Sequence, residues 1–266
     1  MKNQIYFLLF SLLGCTKSPN VEIIVETKPV QSVSVEGIRE VAIGSQTWML
    51  KNLDVEEFRN GDPIPEAKSN EEWDKARREG KPAWCCYNND PAYCEKYGKL
   101  YNWYAVNDAR GLAPEGWTVP NNEDWKVLIQ FVENKFTELK NSDLQTDLGS
   151  ISSILESEVE STLKSNTDHW SIGKGSNESK FSALPGGLRN FEGIFNHAGN
   201  GSYFWSSSEA RDNYFGMTWT RGNDYDLAGG TYSCGNDADE VPINNIYDCY
   251  LGGGLSVRCL KFNNPN

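Results

Sequence analysis

The hydrophobic pattern begins with a short block. Ile5 to Leu13 is almost unbroken apolar sequence behind Met1-Lys2-Asn3-Gln4, and it is too short to span a bilayer. No second apolar run of spanning length follows. From Thr16 to about Ser34 the chain has Pro19, Pro29 and little helical periodicity; a tether or an edge strand would both fit its Val/Ile alternation. Val41-Ala42-Ile43-Gly44-Ser45-Gln46-Thr47-Trp48-Met49 predicts a strand, a tight turn at Gly44-Ser45 and a second strand. Asn60-Gly61-Asp62-Pro63 is a turn. Asn70 is placed to cap a short helix that has Glu71 and Glu72 in its first turn and ends near Gly80. Glu71 and Lys75 are spaced to pair on its surface.

A stronger helix start stands at Pro120-Asn121-Asn122-Glu123-Asp124-Trp125, with Asn121 or Asn122 as cap. Trp125, Leu128, Ile129, Val132 and Phe136 follow at helical spacing and read as a core stripe. Residues 151–164 predict a further helix, with Ile151, Ile154, Leu155, Val159 and Leu163 near one face. After Lys180 the pattern changes. Leu184-Pro185-Gly186-Gly187-Leu188-Arg189 is a glycine-rich loop, and Tyr203-Phe204-Trp205 and Tyr214 to Trp219 read as short strands. Residues 221–254 are rich in Gly, Asn and Asp, and Gly254 to Leu260 closes the chain with an apolar/polar alternation. Helices early and short antiparallel strands late predict an α+β fold.

The formal charge of -12 argues against nucleic acid as a partner, because an acidic surface repels phosphates. The N-terminal block has the positive start and apolar middle of a secretion signal. Its end, Leu12-Leu13-Gly14-Cys15, resembles the bacterial lipobox, in which the cysteine is diacylated and becomes the mature N-terminus. That implies a signal peptide over 1–14, a tether over 15–35, lipidation of Cys15 and a bacterial envelope location, as an outer membrane lipoprotein. Setting Cys15 aside leaves Cys85, Cys86, Cys94, Cys234, Cys249 and Cys259, an even set that reads as disulfides in an exported chain. Cys85 and Cys86 are adjacent and would form a strained ring, so one of them is expected to pair with Cys94. A bridge between Cys234 and Cys249 would constrain the excursion they flank.

Six ordered segments resemble the Fibrobacter succinogenes major paralogous (FISUMP) domain. They are Ile43 to Leu53, Tyr97 to Val106, Pro114 to Pro120 with Asp124-Trp125, Phe181 to Gly187, Trp205 to Glu209, and Leu255 to Cys259. The resemblance covers roughly residues 36 to 262. It implies an exported protein, often a lipoprotein. It also implies a C-type-lectin-like fold related to the formylglycine-generating enzymes, with two or three helices, short antiparallel strands and long irregular loops that present a ligand surface. The sugar triplets Glu-Pro-Asn and Gln-Pro-Asp of calcium-dependent lectins are absent, and the paired reactive cysteines of the enzyme branch have no match.

Candidate chemistry is sparse. Asp124 and Glu209 read as a helix cap and a turn residue. His169, in Asp168-His169-Trp170, lacks a nucleophile marked by any motif and reads as a satisfied structural histidine; His197 reads as solvated. Arg189 and Arg258 read as structural guanidiniums bonding to carbonyls or carboxylates. Trp48, Trp103, Trp117, Trp125 and Trp205 are expected in the core. Trp219 and Tyr225, with Asp224 and Asp226 beside them, are the ligand-binding candidates. No resident cofactor is expected; Asn88-Asn89-Asp90 and Asn223 to Asp226 raise calcium only as turn-like oxygen clusters without the twelve-residue loop spacing. The reading favours a lipid-anchored binding protein for an extracellular glycan or protein over a divergent enzyme on the same scaffold or a structural envelope protein.

Overall fold

The structure, a computed structural model, describes residues 38–140, 158–171, 173–208, 219–220 and 252–262, all within one compact unit, Gln31–Asn266. Of the residues singled out above, Cys15 with its signal segment and tether, Glu209, Tyr214, Asp224, Tyr225, Asp226, Cys234 and Cys249 lie outside the described residues, and so does the 151–157 part of the expected helix.

The fold is α+β, with short antiparallel strands and helices of unequal length. The opening alternation forms its hairpin. Strand β1 (Glu40–Ile43) pairs with β2 (Gln46–Met49), Val41 opposite Trp48, through a turn in which Gly44 takes a φ of 60°. Helix α1 (Asn70–Arg78) comes next, then β3 (Trp84–Cys85), a 3-10 turn (Tyr87–Asn89) and α2 (Pro91–Tyr97). Strand β4 (Leu100–Tyr101), α3 (Trp103–Val106), β5 (Trp117–Thr118), α4 (Asn122–Lys140) and α5 (residues 158–163) follow. The last part holds β6 (Gly186–Arg189), β7 (Phe195–Ala198), β8 (Gly201–Ser202), β9 (Trp219–Thr220) and β10 (Leu260–Lys261).

Strand β10 enters between β2 and β5, so one sheet of order β1-β2-β10-β5 joins the two ends of the domain. The other pairs, β3-β4, β6-β7 and β8-β9, are separate two-stranded ribbons.

One helix start differs in detail from expectation, and at a second the structure decides between two candidate caps. Ser69, not Asn70, caps α1: its hydroxyl accepts from the Glu72 amide. Asn70 is instead used as an acceptor for the Arg189 guanidinium. At α4 the choice falls on Asn121, whose carbonyl oxygen accepts from the Glu123 and Asp124 amides while the Asp124 carboxylate accepts from the Asn121 amide. The strand expected at Tyr203 to Trp205 is displaced. Pairing occupies Gly201–Ser202, and Phe204 makes only an isolated bridge to Ser256. The closing segment likewise forms bridges at 254–256 before β10, because Gly254 and Arg189 exchange both backbone bonds at one point and the chain then turns away.

Tryptophans and phenylalanines fill the core. Trp48, Trp125, Phe181 and Phe204 form one aromatic cluster, with Trp48 and Trp125 ring centroids 4.8 Å apart. Trp84, Trp117 and Trp205 pack with Met49, Tyr101 and Val257 in a second, and Trp73 lies in a third with Cys85 and Leu100. Trp48, Trp117, Trp125 and Trp205 are buried as expected; Trp103 is half-buried against the second cluster.

Both candidate arginines are core residues at 0% exposure. Arg189 donates to the carbonyls of Gly193, Ala67 and Ser69 and to Asn70 Oδ1. Arg258 donates twice to Asn52 Oδ1, at 3.0 and 2.6 Å, and to the carbonyls of Met49 and Phe181. Burial alone pushes the pKa of Arg258 down; the ring of carbonyl dipoles opposes that cost. Replacing Arg258 by Met would orphan several of these buried acceptors, at about 1–3 kcal/mol for each one left unsatisfied. Urea unfolding of Arg258→Met is therefore expected to show a loss of at least about 3 kcal/mol. A loss below about 1 kcal/mol would mean that the guanidinium is dispensable.

Candidate functional site

The site is built on the stretch between β3 and β4. Strand β3 runs into the 3-10 turn, where Asn88 and Asn89 adopt φ values of 56° and 54°, a region that Asn tolerates better than most side chains. Asp90 then caps α2, its carboxylate accepting from the Ala92 amide, with Pro91 at the first helical position. This cap accounts for Asp90 without calcium. The disulfide Cys86–Cys94 ties the two ends of this turn, with Cα atoms 5.0 Å apart. It is the pairing that the spacing left open between Cys85 and Cys86.

Cys85 and Cys259 correct the expectation that all six cysteines pair: both are buried free thiols. Neighbouring residues of a strand face opposite ways. Cys86 therefore packs with Tyr101 and Val257, while Cys85 points into the cluster of Trp73, Ala83 and Leu100. Burial pushes the Cys85 thiol up to about 11 and that of Cys259 up to about 12, which keeps both protonated and unreactive.

The braced turn carries aromatic side chains in a row. Phe195, Tyr87, Tyr93, Tyr97 and His169 follow one another at centroid separations of 5.2, 5.1, 5.9 and 5.8 Å. At the Tyr93–His169 end lies a cleft of about 380 Å³. Its walls are Ala92, Tyr93, Lys96 and Tyr97 from α2, His169 and Ser171 from the turn after α5, and Ala198 and Gly199 from the bend between β7 and β8. A smaller hollow of about 200 Å³ lies between Val55, Phe58, Arg59 and Leu112, with Glu56 and Glu57 at its edge.

The His169 turn is pinned by the Ser171 amide on the Gly199 carbonyl and by Trp170, whose indole donates to Ser165 Oγ and receives the Lys164 ammonium 4.1 Å from its ring centre. Lys164 is in turn paired with Glu160 on α5. Helix α2 ends at Gly98 with a φ of 79°; a Cβ there would lie 2.9 Å from both Asn52 Cβ and the Leu53 carbonyl. Asn52 donates to the Tyr97 carbonyl while it accepts from Arg258, so the cleft wall is bonded to the core. Gly187 is equally constrained. At a φ of 66°, its Cβ would meet the Asn196 carbonyl at 2.5 Å and Tyr87 Cε2 at 2.8 Å.

The electrostatics of the cleft are basic although the chain is acidic. Among the described residues no carboxylate lines it. Lys96 Nζ sits 4.8 Å from the Tyr97 ring centre and makes no ion pair among the described residues. Nδ1 of His169 is buried with no hydrogen-bond partner, which corrects the expectation of a satisfied histidine. Burial, and then the charge of Lys96, lower its pKa below the usual 6.5, against a smaller opposing effect of Asp168. The rim residue His197 is exposed at one edge and packs on Tyr203 at 5.8 Å, and partial burial lowers its pKa too.

Of the ligand candidates read from sequence, Trp219 is in β9; Asp224, Tyr225 and Asp226 lie outside the described residues. Thr220 pairs opposite Gly201, two residues from the cleft residue Gly199, and the chain is next described at Gly252, whose carbonyl accepts from the Trp73 indole. Asp124 is the cap that it was read to be. Tyr93, Lys96, Tyr97 and Ser171 were not singled out as a group, since residues on α2 and near His169 converge only through the tertiary fold. Among the described residues no group of three or more His, Cys, Asp or Glu side chains is placed to hold a metal, and no helix is long and apolar enough to cross a membrane.

The match to the family model of the Fibrobacter succinogenes major domain spans residues 41–261. No curated protein and no solved structure matches the chain.

Two outcomes are expected. Gly187→Ala should destabilise the protein by about 1–3 kcal/mol, the usual cost of forcing a side chain into this backbone region, and should change the near-ultraviolet tyrosine signal. An unchanged spectrum would detach Gly187 from the aromatic row. In an NMR pH titration His169 and His197 should both titrate below 6.5. A folded-state pKa that is depressed means that their contribution to stability is present above 6.5 and is lost as pH falls through the folded values. An imidazole titrating above 6.5 would contradict the burial that causes the shift.

Proposed function

Since the chain belongs to the Fibrobacter succinogenes major domain family, we propose that it is an exported, lipid-anchored bacterial envelope protein that binds an extracellular glycan through the tyrosine-walled cleft. The observation that carries this reading is the cleft itself, about 380 Å³, walled by two tyrosines on a helix braced by the disulfide. Binding sites of this size combine apolar faces with a few polar groups that fix orientation. Tyrosine offers a flat apolar face at low entropic cost, as sugar rings require.

The anchoring half of the proposal rests on the sequence before Cys15. Two or three acyl chains on that residue would hold the protein on the outer membrane far more firmly than one. The wider resemblance to C-type lectins supports a loop-presented ligand surface. On that resemblance Trp219, Asp224, Tyr225 and Asp226 stay a second candidate ligand surface.

A glycan array probed with the purified chain, with calcium and with chelator, tests this. Tyr93 is half-buried and can be changed without opening the core. Tyr93→Ala is expected to reduce binding at least about tenfold, the loss of one stacking contact of about 1.4 kcal/mol. Binding unaffected by Tyr93→Ala but lost in Tyr225→Ala would move the site to the late segment. Binding of a protein from the same envelope, with no glycan bound, would replace the ligand class. Binding lost with chelator would assign calcium to the site. Metabolic labelling with a fatty acid should mark the wild type and not Cys15→Ser.

A further inference from the structure

We propose that the cleft takes an acidic sugar, a hexuronate unit of an extracellular polysaccharide, with its ring against Tyr93 and its carboxylate between Lys96 and His169. This rests on the cleft being the ligand site and adds the ligand's charge.

Three observations carry it. First, in a chain of formal charge -12 the described residues that line the cleft include a lysine and an imidazole and no carboxylate. Second, neither basic group has an ion pair among the described residues: the Lys96 ammonium lies 4.8 Å from the Tyr97 ring centre, and Nδ1 of His169 has no hydrogen-bond partner there. Third, Lys96 and His169 line the same cleft, and the charge of Lys96 disfavours protonation of the imidazole. An anion placed between them turns that repulsion into two attractions. A neutral sugar would leave it in place. The other groups around His169 do not supply the anion. Asp168 is exposed and engaged by Lys174, and Tyr97 presents its ring edge-on to the imidazole at 5.8 Å. Tyr93 is a neutral phenol beyond Tyr97.

The ring half of the assignment separates a uronate from a free anion. Inorganic phosphate would meet the cations but leave the half-buried Tyr93 ring uncovered. A pyranose fills both, in a cleft of monosaccharide scale.

The test uses the full chain with trigalacturonate, galactotriose and inorganic phosphate as probes. Calorimetry measures affinity, and NMR of the His169 imidazole measures its pKa. Trigalacturonate is expected to bind and to raise the His169 pKa. Its affinity should fall as pH rises through that value, because the anion stabilises the protonated ring. Lys96→Gln, an exposed position, should weaken binding about tenfold, as loss of one charge-assisted contact does. His169→Gln should abolish the pH dependence while retaining Tyr93-dependent binding. Galactotriose binding as tightly as trigalacturonate, with Lys96→Gln indifferent, would overturn the acidic assignment and leave the cleft as a neutral-sugar site. Phosphate matching trigalacturonate would overturn the sugar. No binding of either sugar, with a glycan bound elsewhere on the chain, would overturn both this inference and the cleft reading.

Discussion

Arg258 puts a positive charge where the surrounding residues leave it no water. Its guanidinium is met by Asn52 and by the carbonyls of Met49 and Phe181, which are brought to it from well-separated parts of the chain. Met49 ends the first hairpin; Phe181 opens the glycine-rich stretch; Arg258 itself lies just before the last strand. A buried cation tolerates little misplacement, because every lost acceptor leaves it less compensated. The interaction therefore fixes the meeting of the early and late thirds of the domain. Strand β10 can then enter between β2 and β5.

The same interaction reaches the cleft. Asn52 accepts from Arg258 with its oxygen and donates with its nitrogen to the Tyr97 carbonyl. Tyr97 is the last residue of α2, and Gly98 behind it is pressed against Asn52 so closely that no side chain fits. The helix that presents Tyr93 and Lys96 is thus held at its C-terminal end by the core and at its N-terminal side by the Cys86–Cys94 bridge. A short helix of seven residues has little stability of its own. These two attachments make its side chains a fixed wall.

Much of the framework was legible in the sequence. The period-two pattern around Gly44 gave the hairpin, the Asn-rich start gave α4, and the tryptophans of the family segments were core. What escaped is physically coherent. Helices α2 and α3 are too short to show a hydrophobic period. Ser69 outcompetes Asn70 as a cap because Asn70 is claimed by an arginine about 120 residues away. Cys85 looked like a disulfide partner because sequence shows adjacency and not that the pair faces opposite sides of a strand. The cleft was invisible for a further reason. Lys96 and His169 are ordinary surface residues by type, and only the turn after α5, packed through Trp170 and Lys164, brings them face to face.

The central claim is that the buried guanidinium makes the two ends of the domain and the cleft helix one cooperative unit. Native-state amide hydrogen exchange in rising urea tests it most directly. The informative amides are those of Met49 and Leu53, bonded to the Cys259 and Val257 carbonyls, and that of Gly98, bonded to the Cys94 carbonyl. All three are expected to merge onto a single unfolding isotherm at the global stability. Gly98 exchanging through a separate, lower-energy opening, while Met49 and Leu53 remain protected, would contradict it.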